Sequence, residues 1–474
     1  MDLGREARSG VVGGTLALAG AALLSMLQLS IAARFLERSD FGLMALVMVV
    51  VGLCQNMTDL GIASAVLFRQ RATRGELASL FWISVAVGAV LGLGVAAAGP
   101  IAARLWSEPA LAIWLPVMAP VFPLLGAAQV PMAVLRRDLH FGALATLEVV
   151  SAAAGVAAVC GFAIAGGGVA ALCAGQLAAA AVRCGLAFRL GGFRPELHFS
   201  RAELRPFLAF GLYQTGEGLV NYATRNLDKL LIGLWLGTPA LGAYNLAYQL
   251  VIRPYRLLAN LSARVGRPLL ARVQDDHDRL LAAYLETVRV TALVALPIYV
   301  GAWLVAGPMV TLLYGPGWGD VAALFRILWP LGVLYAIGNP VGALIVATGK
   351  ARAGFVWNLF SVVITLAAVM AGIRFGVHGV AVAIVVATTC VLFPCGFYLR
   401  WTLAQVAPRP YLEQLVRPLV YAAVMGLAVA VAAALLPVLP APLELGVLCA
   451  CGVGVYGCLL WLRERPLLLA LRGD

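Results

Sequence analysis

"NYATRNLDKLLIG", residues 221–233, holds Arg225, Asp228 and Lys229 within five positions of a chain that is apolar for long distances on either side. Glu217 lies just upstream. In a soluble domain such a cluster would be an ordinary solvated face. The flanks decide otherwise. Of 474 residues, 62% are hydrophobic and 12% are charged, against about 45–50% apolar and about 25% charged in soluble domains. No soluble core needs so many apolar runs long enough to cross a bilayer. The fold class is therefore an all-α polytopic membrane protein, and the cluster sits inside one of its spans.

Working outward at about 20 apolar residues per span gives about fourteen transmembrane helices. They centre on 11–33, 41–67, 78–103, 111–134, 141–165, 168–189, 207–236, 240–262, 287–313, 321–347, 354–374, 378–401, 417–437 and 444–462. The first run, after Arg5 and Arg8, is too long for a signal-peptide core and reads as a retained span. Arginine and lysine crowd one set of loops, among them Arg69, Arg71, Arg74, Arg136, Arg137, Arg272, Lys350 and Arg352. The opposite loops hold only Arg34, Arg38, Arg104 and Arg374. That asymmetry puts both termini in the cytoplasm. The net charge of +12 follows from this pattern, and its dispersal in short loops argues against nucleic acid as a partner. A polar stretch, "RVQDDHDRLLAAYLETVR" at 272–289, spaces Leu280, Leu281, Tyr284 and Leu285 as a helix behind a capping Asp276. It reads as a linker helix along the inner membrane surface.

The chain repeats itself weakly. "DFGLMAL" at 40–46 resembles "ALGAYNLA" at 240–247, and "GPIAARLW" at 99–106 resembles "GPMVTLLYG" at 307–315. Two further pairs, starting at 130 and 339 and at 166 and 376, keep the same order and nearly the same offset. Each repeat holds six spans, so both enter the membrane in one direction. Parallel repeats of this kind are a transporter architecture. The expected domains are an N-terminal six-helix lobe at 1–206, a C-terminal six-helix lobe at 207–402 and an extra C-terminal helix pair at 403–474.

Charges at the bilayer centre cost roughly 2.5–3.5 kcal/mol each on insertion scales. Glu217, Asn221, Thr224, Arg225 and Asp228 follow one another at steps that share one helical face, which must meet protein or water. Arg225 and Asp228, three apart, can pair along the helix, and Lys229 can snorkel to the outer interface. One reading makes Asp228 and Lys229 a paired cluster that fixes the helix. The other makes the stripe part of a cavity. Glu217, near the midplane, is read as an ion-coupling carboxylate, with Asp228 and Asp59 beside it in that role. Asp59, four residues after Gln55, has a helix–helix hydrogen bond as its plain alternative. Glu148 reads as structural, brought to the same end as Arg137. The next helix, "GAYNLAYQLVIRPYRLL", sets Asn245, Gln249, Arg253 and Arg256 along one face, with Tyr244 and Tyr248 beside them. Arg253 lies roughly 20 Å along that helix. Arginine suits bidentate phosphate contact, although Arg256 can equally reach cytoplasmic headgroups. Asn221, Arg225, Asn245, Tyr248, Gln249, Arg253 and Arg256 are the candidate substrate-binding residues.

Nine cysteines fall mostly within apolar runs, with no CxxC pair, and the four histidines are scattered. No metal or cofactor motif stands out. A membrane glycosyltransferase or polymerase would need a sizeable outer loop with catalytic groups, and none is legible, so the chain reads as a transporter and not an enzyme.

At this point a resemblance becomes specific. "TRNLDKLLIGLWLGTPALGAYNLAYQLVIRPYR" at 224–256 resembles the seventh-to-eighth helix hairpin of bacterial polysaccharide flippases. "RRDLHF" at 136–141, followed by Glu148 and "GGGVAALCAGQL" at 166–177, is similar to the colanic-acid-exporter branch, and "RPLLARVQDD" at 267–276 to its cytoplasmic linker. These proteins belong to the multidrug/oligosaccharidyl-lipid/polysaccharide exporter superfamily. The resemblance implies alternating access in the bacterial inner membrane, with an oligosaccharide on undecaprenyl diphosphate as substrate. The product would serve exopolysaccharide, capsule or lipopolysaccharide assembly. H+ or Na+ coupling is expected from the position of Glu217, and contact with membrane lipids and with polysaccharide polymerase machinery is expected as well. The alternatives are a multidrug antiporter, which the cationic candidate face disfavours, and a peptidoglycan-lipid flippase.

The loop asymmetry makes a direct prediction. A cysteine placed at Asp320 should react with an impermeant thiol reagent from the periplasmic side, and one placed at Arg272 should not. The reverse pattern would overturn the topology.

Overall fold

Gly237 interrupts the longest helical run of the chain, Arg201–Arg272, of 72 residues. Unbroken, such a helix would extend about 108 Å, far beyond one bilayer. Gly237 takes φ 79° and ψ 175°, a backbone state that a Cβ would oppose, and Pro239 follows two residues later. The turn falls between the spans read at 207–236 and 240–262.

The computed structural model describes residues 20–21, 23–58, 73–272, 276–437 and 439–464, without the side chains of 201–221, 223–224, 260–272 and 351. All of its regular elements are helices. They are α1 (Leu23–Phe35), α2 (Arg38–Thr58), α3 (Arg74–Leu105), α4 (Leu111–Arg137), α5 (Phe141–Ile164) and α6 (Val169–Gly191). Then come α7 (201–236) and α8 (238–272) on either side of Gly237, α9 (His277–Leu304), followed by a short helix at Ala306–Tyr314, and α10 (Gly319–Ala347). The last are α11 (Ala351–Gly372), α12 (376–404, with one π turn at Thr388–Leu392), α13 (Pro408–Leu435) and α14 (Ala441–Arg463). Among the described residues, eleven segments are long and apolar enough to cross a membrane, and α1 is a shorter apolar helix. Two of the eleven, Arg225–Ala259 and Arg352–Ala404, contain the Gly237 break and the turn before Gly376, where φ is +70°.

Local chemistry sets the helix ends. Thr73 accepts from Glu76 N at 3.2 Å, and the Glu76 carboxylate accepts from Thr73 N at 2.9 Å, a reciprocal capping box before α3. Asp276 caps α9, accepting from Arg279 N at 3.1 Å. The cap was legible, but the helix behind it is not a separate surface linker. His277–Leu304 is one continuous helix. Its first turns bury Leu280, Tyr284 and Val288 in a core shared with Leu399, Leu403, Tyr411 and Leu415.

The chain packs as two units, Met1–Gly242 and Ala243–Asp474. In the first, α5 lies along α6, and α4 packs against α3 and α6. Two glycines let α2 meet the turn after α7 at backbone distance. A Cβ on Gly42 would fall 1.8 Å from the Thr238 carbonyl oxygen, and one on Gly242 would fall 1.9 Å from that of Arg38. In the second unit α9 packs on α10 and α13, and α13 on α14. The C-terminal helix pair is therefore part of this unit's core. Two polar joints hold it. Arg400, 4% exposed, donates from Nε to Tyr284 Oη at 3.1 Å and stands over the rings of Tyr411, Phe397 and Phe393 at 4.7, 5.2 and 6.0 Å. Glu464, 3% exposed, takes a hydrogen bond from Arg289 and one from Tyr421 at 3.3 Å, with Arg417 at 4.0 Å.

The second joint should carry measurable stability. Glu464→Ala leaves the part-buried Arg289 with Glu286 at 3.6 Å and removes the Tyr421 acceptor, which should cost about 1–3 kcal/mol. Glu413→Ala, which removes an exposed pair with Arg409, should cost less than about 1 kcal/mol. Thermal denaturation of the two variants in detergent would compare them, and equal midpoints would refute the joint.

Candidate functional site

The charge cluster on α7 is built against α2. Tyr222 Oη donates to the Met48 carbonyl at 3.0 Å. Gly52 makes room for that ring, because a Cβ there would fall 2.1 Å from the hydroxyl. One turn on, Asn226 Nδ2 donates to the Tyr222 carbonyl at 2.9 Å, and Lys229 Nζ donates to Asn226 Oδ1 at 2.9 Å. Asp228 is 6% exposed, and its Oδ1 accepts from Lys229 N at 2.8 Å. Arg225, by contrast, is exposed. The residues expected to pair therefore occupy different environments: Asp228 turns into packed protein and Arg225 toward open surface. Lys229 is half-buried and tied to Asn226 instead of reaching freely outward. Asn226, which the stripe had omitted, is its central hydrogen-bonding residue. The side chains of Glu217 and Asn221, and all of Asp59, lie outside the described residues.

On α8 the expected face is separated in part: Ile252, in the same arc as Asn245, is buried, and Leu257, in the arc of Leu246 and Leu250, is exposed. Leu246, Ala247, Leu250 and Val251 are buried, whereas Asn245, Tyr248, Gln249 and Arg253 are half-buried and Arg256 is exposed. The helix thus packs along one side and leaves a polar, cationic stripe on the other. Tyr248 stacks on the buried ring of Tyr244, with centroids 5.9 Å apart and planes at 17°. Arg253 has Arg256 and the buried Tyr314 as electrostatic neighbours. The stripe is steadied from behind. Tyr299 Oη donates to the Val251 carbonyl at 2.7 Å, and Tyr255 meets Tyr335 edge-on at 5.8 Å and Asn339 at 3.4 Å. A cationic face with amide and phenol groups beside it suits an anionic, polyhydroxylated ligand.

Glu148 does not join Arg137. Arg137 pairs with Asp138 at 2.8 Å, and Glu148 Oε2 accepts from Arg183 Nη2 at 2.7 Å. Arg183 was absent from the sequence reading, and the signal for it was a lone arginine in an alanine-rich span. Arg400 was missed too, although the aromatic residues around "FPCGFYLRW" at 393–401 announce it. Among the described residues, no group of three or more His, Cys, Asp or Glu could hold a metal ion.

Comparison with known proteins places this architecture. Residues 31–323 match the family described as polysaccharide biosynthesis protein. The lipopolysaccharide biosynthesis protein WzxC of Escherichia coli (strain K12) is 28% identical over 351 residues, covering 74% of this chain and 71% of that one. The succinoglycan biosynthesis transport protein ExoT of Rhizobium meliloti (strain 1021) is 26% identical over 461 residues, covering 94% and 91%. Among solved structures, the lipid II flippase MurJ in an inward closed conformation superposes with a TM-score of 0.76 at 14% identity, covering 96% of this chain and 99% of that one. That likeness concerns the fold.

The Gly52–Tyr222 contact can be tested directly. Gly52→Ala should lower stability by about 1–3 kcal/mol through overpacking. Adding Tyr222→Phe should return part of that loss in a thermal-denaturation cycle. Additive effects of the two changes would mean that they do not touch. Spanning helices, two packed units and the match over residues 31–323 agree: this multi-pass membrane protein belongs to the polysaccharide biosynthesis protein family.

Proposed function

We propose that the chain is a flippase: it carries oligosaccharide units linked to undecaprenyl diphosphate across the bacterial inner membrane by alternating access. Those units feed exopolysaccharide, capsule or lipopolysaccharide assembly. The likeness to WzxC, a lipopolysaccharide biosynthesis protein, and to ExoT, a succinoglycan biosynthesis transport protein, and the MurJ-like fold support this reading. The observation that carries it is the α8 stripe. Asn245, Tyr248, Gln249, Arg253 and Arg256 stay outside the packed face of a membrane helix, where a cation without a ligand or water to meet is costly. A diphosphate needs such cations, and a sugar needs amide and aromatic neighbours. Arg225 and Asn221 on α7 belong to the same proposed binding set.

The proposal includes fourteen spans, obtained by dividing Arg225–Ala259 and Arg352–Ala404 at their breaks and counting α1 with the residues before it. Both termini are cytoplasmic, and the repeat boundary at 206/207 marks two six-helix lobes with an added pair from 403. The contact units divide instead at Gly242. Packing and repetition are different criteria, and α7 can belong to one unit by contact and to the other by repeat. Glu217, Asp228 and Asp59 are the proposed coupling carboxylates for H+ or Na+. A membrane potential of 100 mV supplies about 2.3 kcal/mol per charge moved, sufficient to bias a two-state carrier by roughly fifty-fold. Contact with polysaccharide polymerase machinery remains part of the proposal, and catalysis does not.

The test is lipid-linked oligosaccharide flipping in proteoliposomes. Arg253→Ala should abolish flipping at normal protein level, and Arg253→Lys should restore only part, since a point charge replaces a planar fork. Glu217→Gln should remove stimulation by an imposed ion gradient while leaving slow, gradient-independent flipping. Full activity of Arg253→Ala would remove that residue from the site, and intact stimulation of Glu217→Gln would make it structural.

A further inference from the structure

The ion pair between Glu148 on α5 and Arg183 on α6 lies in an unusual place. On α5 the exposed stripe is Thr146, Val150, Ala153 and Ala157, and the buried one is Leu147, Ser151, Gly155 and Val159. At about 100° per residue, Glu148 stands roughly opposite the exposed stripe. On α6, Ala181 and Gly185 are exposed, and Arg183 stands roughly opposite them by the same count. Both side chains therefore point away from the exposed stripes of their helices. Each nevertheless keeps 32% of its surface accessible. The accessible surface of this pair therefore lies on the sides of α5 and α6 turned away from their exposed stripes. Glu148 is about 10 Å from the α5 N-terminus, and Arg183 about 12 Å from the α6 C-terminus, so the pair sits well within the span. About 10–12 Å further along both helices, α1 closes on them: a Cβ on Gly175 would lie 3.1 Å from Gln28 Nε2.

We propose that Arg183 is a phosphate-binding residue held in reserve by Glu148. Arginine keeps its charge at all relevant pH values, so Arg183 within the span always needs an anion. Glu148 supplies one at 2.7 Å through a single contact from Nη2. A part-exposed pair of this kind contributes little net stability, which makes it exchangeable. A diphosphate offers more charge and more acceptor oxygens, and it can engage the guanidinium fork bidentately. The ligand is a lipid-anchored diphosphate, and this part of the inference rests on the flippase reading above. No bond is made or broken; one anion replaces another at Arg183, and Glu148 is released to water.

The two partners give this exchange a signature that a structural tether lacks. A tether is lost equally when either partner is removed. A competitor and a receptor act in opposite directions. Binding to the full chain in detergent should be measured with undecaprenyl diphosphate, with undecaprenol and with inorganic pyrophosphate. Arg183→Ala should weaken undecaprenyl diphosphate binding at least tenfold, and Glu148→Gln should tighten it several-fold. Undecaprenol binding should be the same in all three proteins. Pyrophosphate should bind in an Arg183-dependent way but at least tenfold more weakly than the lipid; equal strength would make the ligand a free phosphate and overturn the lipid assignment. Weakening by both variants, or no change in either, would reduce the pair to a tether and overturn the proposal. A wild-type protein that prefers diphosphate lipid to the alcohol while Arg183→Ala binds normally would sink this inference and leave the flippase reading standing. Wild-type binding with no preference for the diphosphate would overturn both.

Discussion

An ion inside an apolar helix bundle must find a counter-charge, a hydrogen-bond partner, a π-face or water, and this requirement organises the polar chemistry of the protein. Coulombic attraction strengthens as the dielectric falls, but so does the penalty for a charge left alone. Three solutions appear. Asp228 is buried and tied to the backbone of its own helix. Glu464 gathers Arg289, Arg417 and the Tyr421 hydroxyl at the end of α14. Arg400 meets no carboxylate among the described residues and rests on three rings and one phenol oxygen.

Close helix approach is the second requirement, and glycine meets it. Gly42 and Gly242 bring backbone to backbone where any side chain would collide. Gly332 does the same beneath Tyr299, a Cβ there falling 2.2 Å from the ring. That tyrosine in turn bonds the Val251 carbonyl behind the α8 stripe. A small residue on α10 thus helps to hold the position of a cationic face on α8. In a bilayer, where lipid tails are as apolar as leucine, such packing carries more of the stability than hydrophobic exclusion does.

The tension between fixing charges and keeping some available gives the molecule its functional character. Lys229 and Asn226 are held by short hydrogen bonds. Arg225 and Arg256 stay exposed, and Arg253 half-exposed. The first set is fixed along α7 itself, and Tyr222 Oη ties that helix to the Met48 carbonyl of α2. The second remains able to meet a ligand.

What the amino-acid order determined by itself is the class, the number scale and the facing of the spans. Apolar runs dictate helices because a spanning backbone must satisfy its own hydrogen bonds. Gly237 with Pro239 announces the turn, Asp276 announces a helix start, and the four-residue spacing from Asn245 through Gln249 to Arg253 marks one face of α8. These are local properties, legible from periodicity and backbone chemistry. Partnership was not legible. Glu148 takes Arg183, 35 residues away, and not Arg137. Arg289 takes Glu464, 175 residues away, and the turns after Asp276 pack into the α12–α13 core instead of lying on a surface. Spacing along a helix sets the direction and depth of a side chain, but its counter-charge depends on the register in which helices pack, and that register is set by tertiary contacts among residues far apart in the chain.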